Sequence, residues 1–434
     1  MYHFIGIKGA GMSALAIIMK KLGYKVQGSD YDKHYFTEEG LIDNNIEILS
    51  FKEENIKENM IIVKGNMFNN DNIEVREAKN RKLKIYTYQE MISEIIKKFN
   101  VIAVSGCHGK TTTSSMLAHI MDANYLIGDG SGGCSNNDYF ILEACEYKRH
   151  FLSYHPNYTI ITNIDLDHVD YYKDINDVIS AYNEFIKQSN IVIAYGDDKN
   201  IKKLNHKNIY LYGLEDTNYF QAKNIEYLKN GTSFDFYIKN EYKIHFDLPF
   251  YGKHMVLNTL AAISLCYLEN LNINKIYKKL ILFKGAKRRF NEKKVLDNII
   301  IDDYAHHPNE IEAVINAARQ KYPSKELIAV FEPHTYSRTK QFGKQIAEKL
   351  NLCDYVYVMD IYPSREKQEN FIDVKSNIII NKLQNGEEID TSKIEKLLKH
   401  HDSMILFMSP NDLSGFQKEY IKLYEQKFDK NKKK

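Results

Sequence analysis

A short loop between an apolar run and a hydroxyl-rich helix is the stretch of this chain best suited to phosphate chemistry. It reads GCHGKTT over residues 106–112. Its two glycines allow backbone angles that turn N–H groups towards phosphate oxygens. Lys110 offers a charge to the β- and γ-phosphates, and Thr111 offers a hydroxyl to Mg²⁺. The loop is shorter than the standard G-x-x-x-x-G-K-[ST], because Val104 stands six residues before Lys110, yet its setting predicts an ATP site.

Acidic residues follow two further predicted strands of the same segment. The stretches ILEACEY and NIDLDHVDYY present Glu143, Glu146, Asp165, Asp167, His168 and Asp170. The carboxyl ends of parallel strands meet where α/β sheets bind ligands. A nucleotide bound at a phosphate loop needs carboxylates for its metal. Two acidic clusters beside one such loop therefore predict metal ligation.

A second glycine-rich turn, GIKGAGM, lies between a predicted strand and a predicted helix at residues 6–12. Backbone N–H groups and the helix dipole hold a diphosphate in such a setting. The dinucleotide fingerprint has glycine in first, third and sixth place, and here the third is Lys8. This disfavours a nicotinamide cofactor and leaves other nucleotide diphosphates open. Asp30, at the end of the next strand, suits a ribose or sugar hydroxyl.

Three polar stretches follow later, at positions where a strand gives way to a loop. They are KGAKRRF (284–290), DDYAHHPNE (302–310) and FEPHTYSRT (331–339). Any one of them alone is typical of a solvated loop. Together, in one domain, they predict a shared cleft wall. Their histidines could also ligate zinc, but no cysteine lies at close spacing, which disfavours a zinc site.

The elements that must carry these loops alternate along almost the whole chain. Short β-rich runs and helical stretches follow one another, which is typical of α/β units with parallel sheets. Between residues 213 and 250 the pattern predicts an antiparallel insertion or edge. Helices are predicted at 13–22, 88–99, 174–187 and 255–271. Three series can each bury a core, so we predict three domains at 1–98, 99–286 and 287–434.

Composition restricts the class of protein. The 434 residues are 44% hydrophobic and 27% charged, which is a globular balance. A net charge of +2 gives no reason to expect nucleic acid, and the basic end KFDKNKKK is typical of a solvated tail. The absence of a charged leader region and of a long apolar run predicts no membrane insertion. Five scattered cysteines indicate a reducing compartment, so we expect a cytoplasmic protein.

The motifs together resemble the Mur ligase family, in the family's order and over nearly the whole chain. The matching stretches are HFIGIKGAGMSALA, GCHGKTT, EACEYKRHF, NIDLDHVDYY, HMVLN, KGAKRRF, DDYAHHPNE and FEPHTYSRT. A short G-x-x-G-K-T loop is the family's normal form. The resemblance implies a Rossmann-like N-terminal domain for a uridine diphosphate sugar and a central P-loop ATPase domain with a mostly parallel sheet. A Rossmann-like C-terminal domain would close over both.

The implied activity is ATP-dependent amide formation between UDP-N-acetylmuramate and L-alanine. ATP would phosphorylate the lactyl carboxylate, and the amine of L-alanine would attack the resulting acyl phosphate. The cofactors implied are ATP and Mg²⁺, and the partners are these two small molecules. A monomer or homodimer is expected.

The resemblance also implies roles for individual residues. The catalytic residues would be Lys110, His168 and Arg338, with the alanine carboxylate on Arg338, and the metal ligands Thr111, Glu143 and His168. The ATP site would comprise Gly106, Cys107, His108, Gly109, Lys110, Thr111, Thr112, Asn258, Arg288 and Asp303. The uridine diphosphate site would comprise Gly6, Gly9, Gly11, Met12 and Asp30. Further substrate contacts would come from His306, His307 and His334.

Some positions depart from the family pattern. The usual H-N-x-x-N reads HMVLN, with Met255 in place of the first amide. The basic residue expected after His334 is Thr335. The late G-A-G-D loop reads SPND at Ser409–Asp412, where Asn411 can replace one glycine because asparagine tolerates a left-handed backbone. Cys107, near Lys110 and a helix N-terminus, is expected to serve packing, with a reactive thiolate as the alternative hypothesis.

Three other functions remain as alternatives. A recycling ligase that adds a whole peptide to the same nucleotide sugar shares most of these motifs. A P-loop ATPase that binds a partner would have no use for the GIKGAGM loop. A nicotinamide oxidoreductase is disfavoured by Lys8 and leaves Lys110 unexplained.

Overall fold

The computed structural model describes residues 1–35 and 37–428 and contains three β-sheets. Most strand pairs in all three are parallel, and helices connect them, so the predicted α/β class is confirmed. The strands of the three sheets lie within residues 2–87, 100–248 and 291–408. The domain boundaries near residues 98 and 286 stay predictions. Of the basic tail, residues 429–434 lie outside the described residues.

The N-terminal sheet consists of five parallel strands. Its strands are β1 (Tyr2–Ile5), β2 (Val26–Asp30), β3 (Glu47–Ser50), β4 (Ile61–Lys64) and β5 (Lys84–Thr87), in the order β3-β2-β1-β4-β5. Its helices are α1 (Ala10–Lys21), α2 (Glu38–Asp43), α3 (Ile73–Asn80) and α4 (Tyr88–Ile96). Helix α1 begins three residues earlier than predicted, directly after Gly9. The glycine-rich turn therefore leads straight into a helix N-terminus.

The central sheet has ten strands and carries the phosphate loop. Its strands are β6 (Asn100–Ser105), β7 (Asn124–Leu126), β8 (Gly132–Gly133), β9 (Tyr139–Glu143), β10 (Tyr158–Ile161), β11 (Ile191–Tyr195), β12 (Ile209–Gly213), β13 (Phe220–Leu228), β14 (Gly231–Ile238) and β15 (Glu241–Leu248). They follow the order β15-β14-β13-β12-β11-β10-β6-β9-β7-β8. Both pairs within β13–β15 are antiparallel, so the predicted antiparallel insertion is confirmed.

Four helices pack on the central sheet. They are α5 (Lys110–Met121), α6 (Ile175–Ile186), α7 (Lys253–Leu268) and α8 (Ile273–Leu282). Helix α7 covers 16 residues of mostly apolar sequence, ten of them buried, and it contacts α5. It begins two residues before the predicted start because Gly252, at a φ of 87°, turns the chain into it. Helix α5, which follows the phosphate loop, therefore contacts the central sheet on one side and α7 on the other.

The C-terminal sheet has six strands, of which only the edge pair is antiparallel. Its strands are β16 (Asn291–Val295), β17 (Asn298–Asp303), β18 (Glu326–Phe331), β19 (Tyr355–Val358), β20 (Gly386–Glu388) and β21 (Ser403–Met408), in the order β16-β17-β21-β18-β19-β20. Its helices are α9 (Pro308–Lys321), α10 (Tyr336–Leu350), α11 (Asn377–Ile380) and α12 (Ser414–Phe428). Every residue of β21 is buried, as expected for a central strand with helices on both faces.

The N-terminal and central units share one hydrophobic core. A single cluster of buried side chains extends from Phe4 in β1 to Tyr182 in α6. Within the described ranges, none of the helices combines the length and apolar character that a membrane crossing requires. All five cysteines are free thiols.

Candidate active site

The phosphate loop is held against the end of β10. Gly106 and Gly109 have φ values of 135° and 83°, which residues with a side chain rarely adopt. A Cβ at Gly106 would collide with Thr162, and one at Gly109 would lie 2.5 Å from Oδ1 of Asn258. The N–H of His108 donates to Oδ1 of Asn163 at 2.9 Å. Both glycines are therefore needed for backbone geometry and for close approach.

Lys110 is engaged by a buried carboxylate. Its Nζ donates to Oε2 of Glu146 at 3.0 Å and also to the carbonyl of Gly106. Burial alone would lower the pKa of Lys110, but Glu146 and the other acidic groups around it together outweigh burial and raise the pKa. Lys110 is therefore an ammonium group inside the loop. Glu146 is the carboxylate that balances this charge.

Thr111 and Glu143 form the oxygen-rich corner beside this pair. The Thr111 hydroxyl donates to Oε2 of Glu143 at 3.0 Å, and the N–H of Gly128 donates to the same oxygen at 2.8 Å. Burial raises the pKa of Glu143 although Lys110 lowers it in part. His168 is near, with Nε2 3.8 Å from Oε1 of Glu146, and its buried Nδ1 has no hydrogen-bond partner. Thr111 and Glu143 are thus in direct contact, and His168 is linked to Lys110 through Glu146.

The glycine-rich turn of the N-terminal domain reaches the same region. Asp30 accepts the N–H of Lys8 at 2.7 Å and the N–H of Tyr31 at 2.8 Å, so its carboxylate organises the turn. The Lys8 ammonium does not face outward, because it forms an ion pair with Glu38 at 2.6 Å. Gly6 has a φ of 85°, which favours glycine.

Two glycines connect this turn with the oxygen-rich corner of Thr111 and Glu143. Gly130 lies against Ala10 at the start of α1, so that a Cβ on Gly130 would be 3.2 Å from the Ala10 side chain. Two residues earlier, Gly128 donates its N–H to Glu143. The N-terminus of α1 carries the predicted residues Gly9, Gly11 and Met12. The two predicted phosphate sites are therefore linked by one short segment.

The C-terminal wall meets the central domain through a buried ion pair. Nη2 of Arg338 donates to Oδ1 of Asp167 at 2.6 Å, and Nη1 of Arg338 donates to Nδ1 of His334 at 2.6 Å. Burial would raise the pKa of Asp167, but the Arg338 charge is the largest influence that holds it well below its usual range. The guanidinium that was predicted to receive the alanine carboxylate already has a carboxylate partner.

The histidines of this wall are buried and uncharged. Burial lowers the pKa of His306 and of His307 to about 4 and that of His334 to about 2. The rings of His306 and His334 have centroids 5.4 Å apart. Neutral imidazoles at these positions can donate or accept one hydrogen bond each without adding charge. This suits contacts to a substrate or phosphate group.

A cavity of about 840 Å³ opens beside the phosphate loop, between the central and C-terminal domains. Five predicted ATP-site residues line it: His108, Gly109, Thr112, Asn258 and Asp303. Burial raises the pKa of Asp303 to about 6 despite two backbone N–H donors. Met255 lines the same cavity, so an apolar side chain occupies the position of the family's first amide.

Arg288 is placed differently from the prediction. Its guanidinium donates to the carbonyls of Ser409 and Pro410 at 2.6 and 3.2 Å, and it pairs with Asp302. The cavity lining includes Arg289, its neighbour in the chain, instead. Because Arg288 has a φ of 52°, the backbone turns sharply here and sends the two side chains apart. The nucleotide contact of Arg288 stays a prediction.

The other departures from the family pattern have structural consequences. Thr335 has a φ of 62° and a buried side chain that accepts the N–H of Arg338 at 3.4 Å, so it caps α10. In the SPND loop, Ser409 accepts the N–H of Asn411 at 2.9 Å. Asn411 is not among the described non-glycine residues with positive φ, so the prediction of a left-handed replacement for glycine was wrong.

Cys107 is a packing residue. Its Sγ accepts the N–H of Asp165 at 3.2 Å and donates to the carbonyl of Asp165 at 3.0 Å. Burial, followed by the charge of Glu146, raises the pKa of the thiol well above its ordinary value. The 8% exposure of the side chain and the negative charges of Glu146 and Asp167 disfavour a reactive thiolate.

Comparisons with known proteins match most of the chain. The model "Mur ligase family, catalytic domain" matches residues 1–100, "Mur ligase middle domain" matches 133–266, and "Mur ligase, glutamate ligase domain" matches 288–409. The UDP-N-acetylmuramate–L-alanine ligase of Ligilactobacillus salivarius (strain UCC118) is 45% identical over 427 residues, 96% of either chain. The chain belongs to the Mur ligase family. Mur ligases are ATP-dependent, which confirms the prediction of an ATP-dependent ligase.

Solved structures of Mur ligases share the fold over the full length. The UDP-N-acetylmuramate-alanine ligase of Thermotoga maritima has a TM-score of 0.81 at 23% identity and covers 98% of this chain and 99% of its own. A murein peptide ligase of Psychrobacter arcticus has a TM-score of 0.73 at 22% identity and covers 98% of both chains. At such identities the likeness establishes the three-domain Mur ligase fold alone.

Several residues of the site were not predicted from the sequence. Arg289 lines the cavity and Asn163 holds the phosphate loop, whereas Glu146, which was predicted within an acidic cluster for a metal, is the partner of Lys110. Glu310 and Asn309 of α9 reach His108 and Asp165 across the cleft. Asn163 could have been found, because it opens the NIDLDH stretch at the end of β10.

Proposed function

We propose that this Mur ligase joins L-alanine to the lactyl carboxylate of UDP-N-acetylmuramate, at the expense of ATP, in the synthesis of peptidoglycan precursors. The observation that carries the proposal is the 45% identity with an L-alanine ligase of this kind over 96% of both chains. The site agrees in its chemistry, because a phosphate loop, an oxygen-rich metal corner and a second glycine-rich turn adjoin one another. A cytoplasmic monomer or homodimer that binds neither membrane nor nucleic acid stays a prediction.

The first step of the proposed reaction is phosphoryl transfer. A lactyl carboxylate oxygen attacks the γ-phosphorus of ATP, the bond to the bridging oxygen breaks, and ADP leaves. The Lys110 ammonium would exchange its contact with Glu146 for one with the transferred phosphoryl group, and would stabilise the negative charge that develops there. The ligase contributes positioning and electrostatic stabilisation more than a nucleophile of its own. Loop N–H groups after Gly106 would hold the phosphates, while Asn258, Asp303 and Arg289 would hold the nucleoside.

The residues present suit Mg²⁺ at the corner beside Lys110. Thr111 and Glu143 offer hydroxyl and carboxylate oxygens, which this ion prefers, and Nδ1 of His168 is buried without a partner. We propose that Thr111 and Glu143 hold one ion and His168 a second. When bound, Mg²⁺ would neutralise phosphate charge and orient the acyl oxygen.

The second step is amide formation. The amine of L-alanine attacks the acyl phosphate carbon, and the tetrahedral intermediate collapses as the C–O bond to phosphate breaks. The amine must lose a proton in this step, and neutral His306 can accept a hydrogen bond from it at Nε2, because its Nδ1 donates to the carbonyl of Tyr304. Arg338 would bind the alanine carboxylate in addition to Asp167, which fixes the guanidinium before the substrate arrives.

The test is phosphate release by the purified protein with ATP, Mg²⁺ and UDP-N-acetylmuramate, with and without L-alanine. Release that requires both substrates supports the proposal. Release with L-alanyl-D-glutamyl peptides but not with L-alanine would identify a peptide-recycling ligase instead. Release that is indifferent to the sugar nucleotide would leave only an ATPase and contradict the role given to the GIKGAGM turn.

A further inference from the structure

The histidine of the phosphate loop faces a histidine of the C-terminal domain. His108 follows β6 and Asp165 follows β10, whereas His307 is the N-cap of α9. One potential ligand atom from each of these three side chains lies within 4.8 Å of the other two. The two imidazole rings have centroids 4.5 Å apart. Three groups that commonly bind metals thus meet across the cleft between two domains.

Unpaired nitrogen atoms point into this meeting place. His307 is 4% exposed, and its buried Nε2 has no hydrogen-bond partner. Nε2 of His108 is also buried without a hydrogen-bond partner and lies 4.0 Å from Oδ2 of Asp165. Buried polar atoms in native proteins are almost always satisfied by a protein group, a water or an ion. A ligand between these three side chains would satisfy both nitrogens.

The surroundings resemble the outer shell of a metal site. Oε1 of Glu310 lies 3.2 Å from Nδ1 of His108, close enough for an ion pair although not aligned as a hydrogen bond. A histidine that binds a metal through one nitrogen usually presents its other N–H to a carboxylate. In His307, a metal on Nε2 would place the proton on Nδ1. The ring would then give up only a long contact, 3.4 Å, with the N–H of Asn309.

We propose that His108, Asp165 and His307 bind one divalent transition-metal ion of the Zn²⁺ type. Two imidazoles and one carboxylate suit zinc, cobalt or nickel, whereas Mg²⁺ prefers a shell of oxygen atoms. The Asp165 side chain is 38% exposed, which leaves an open side for a water as fourth ligand. This site is separate from the corner of Thr111 and Glu143. Zinc–ligand distances of about 2.0–2.2 Å require the three side chains to close in by roughly 1 Å.

Occupation of the site would tie two domains together. His108 and Asp165 belong to the central domain, and His307 begins a helix of the C-terminal domain. An ion that binds only when both are in place stabilises the closed arrangement of the protein. Zinc should therefore raise the unfolding temperature and oppose opening of the cleft. This inference rests on the geometry and not on the proposed ligase reaction.

The test is zinc binding by the full-length protein, measured by calorimetry in excess Mg²⁺ without nucleotide. Excess Mg²⁺ occupies the oxygen-rich corner, so that zinc reports on the histidine site. We expect one Zn²⁺ per chain, and the visible absorption bands of Co²⁺ should show imidazole ligands. His307→Gln and Asp165→Asn should each weaken zinc binding at least about tenfold, as losses of metal ligands do. His155→Gln, at an exposed histidine away from the cluster, is the matched control and should bind zinc like the wild type.

Two results would overturn the proposal. One is the absence of zinc binding by the wild-type protein. The other is unchanged zinc affinity in both His307→Gln and Asp165→Asn, which would place the ion elsewhere. Circular dichroism of each variant without zinc shows whether the variant is folded. The two substitutions lie in different domains, and one folded variant is enough to test the site. Zinc binding without ligase activity would sustain this site and refute only the proposed function.

Discussion

Arg338 and Asp167 form a buried ion pair between the C-terminal and central domains. Nη2 and Nε of the guanidinium both donate to Oδ1 of the carboxylate, at 2.6 and 3.2 Å. The two side chains are 6% and 8% exposed. Since His168 is the next residue after Asp167, this single contact connects the C-terminal wall to a proposed metal ligand.

Arg338→Ala should both destabilise the protein and impair its use of L-alanine. Loss of the guanidinium leaves Asp167 as an uncompensated buried charge, which typically costs about 3–5 kcal/mol. We expect the midpoint of urea unfolding to fall accordingly and the KM for L-alanine to rise. Arg338→Lys retains the charge without the planar fork, and should recover stability more than substrate binding. Unchanged urea unfolding in Arg338→Ala would show that the ion pair contributes nothing to stability.

Lys110→Ala should lower turnover at least about 100-fold, the usual effect of removing one group that stabilises charge in the transition state. The substitution also leaves Glu146 buried without its partner, so stability should fall as well. The double variant Lys110→Ala/Glu146→Gln separates the two effects. It should regain stability in thermal unfolding but no phosphate release. Activity in either variant would contradict the role of Lys110.

Asp303 should make stability fall as the pH rises from about 4 to 6. Burial raises its pKa to about 6 in the folded protein, against an ordinary value of 3.8. As the pH rises from about 4, the carboxyl ionises more readily in the unfolded chain than in the folded protein, so the free energy of unfolding falls. The fall is complete above pH 6, where the carboxyl is ionised in both states. The shift corresponds to roughly 2–3 kcal/mol. Asp303→Asn removes the ionisation, so its unfolding free energy relative to the wild type should increase over this range. Parallel pH profiles of the two proteins would contradict this.

Asp30→Ala should weaken binding of the sugar nucleotide by roughly tenfold and leave ATP affinity unchanged. The carboxylate accepts the N–H groups of Lys8 and Tyr31, and hydrogen bonds to a charged group contribute about 1.5–3 kcal/mol. Without them the GIKGAGM turn loses its fixed shape. Asp30→Asn keeps one acceptor oxygen and should have an intermediate affinity in calorimetry. Equal losses of sugar-nucleotide and ATP affinity would contradict separate sites.

Cys107 should resist alkylation in the native protein. Its thiol is buried and hydrogen-bonded to the backbone of Asp165, and burial raises its pKa. Peptide mass spectrometry after treatment with iodoacetamide near neutral pH should find Cys107 unmodified, and modified once the chain is unfolded. Rapid native labelling of Cys107 would restore the thiolate hypothesis.

The sequence predicted the parts of the site that depend on local chain geometry. A buried strand followed by glycines and a helix is a local pattern, so the phosphate loop and the GIKGAGM turn were found in the right places. It also predicted the antiparallel insertion, because an alternation of period two is visible in the residues themselves. These are properties of short segments.

The contacts between domains could not be predicted in the same way. Arg338 and Asp167 are far apart in the chain, and nothing local indicates that they pair. Arg288 and Arg289 are adjacent and chemically identical, so their residue types do not indicate that Arg289 lines the cavity while Arg288 contacts the carbonyls of Ser409 and Pro410. The meeting of His108 with His307 likewise depends on how the C-terminal domain sits over the phosphate loop.

In the proposed reaction, ATP activates the lactyl carboxylate as an acyl phosphate before L-alanine attacks. The most direct measurement uses UDP-N-acetylmuramate labelled with ¹⁸O in that carboxylate and follows the label by mass spectrometry. Because the C–O bond to phosphate breaks in the second step, we expect one labelled oxygen in the released phosphate and an L-alanyl product. Released phosphate without label would mean that water attacks ATP, and would contradict the account.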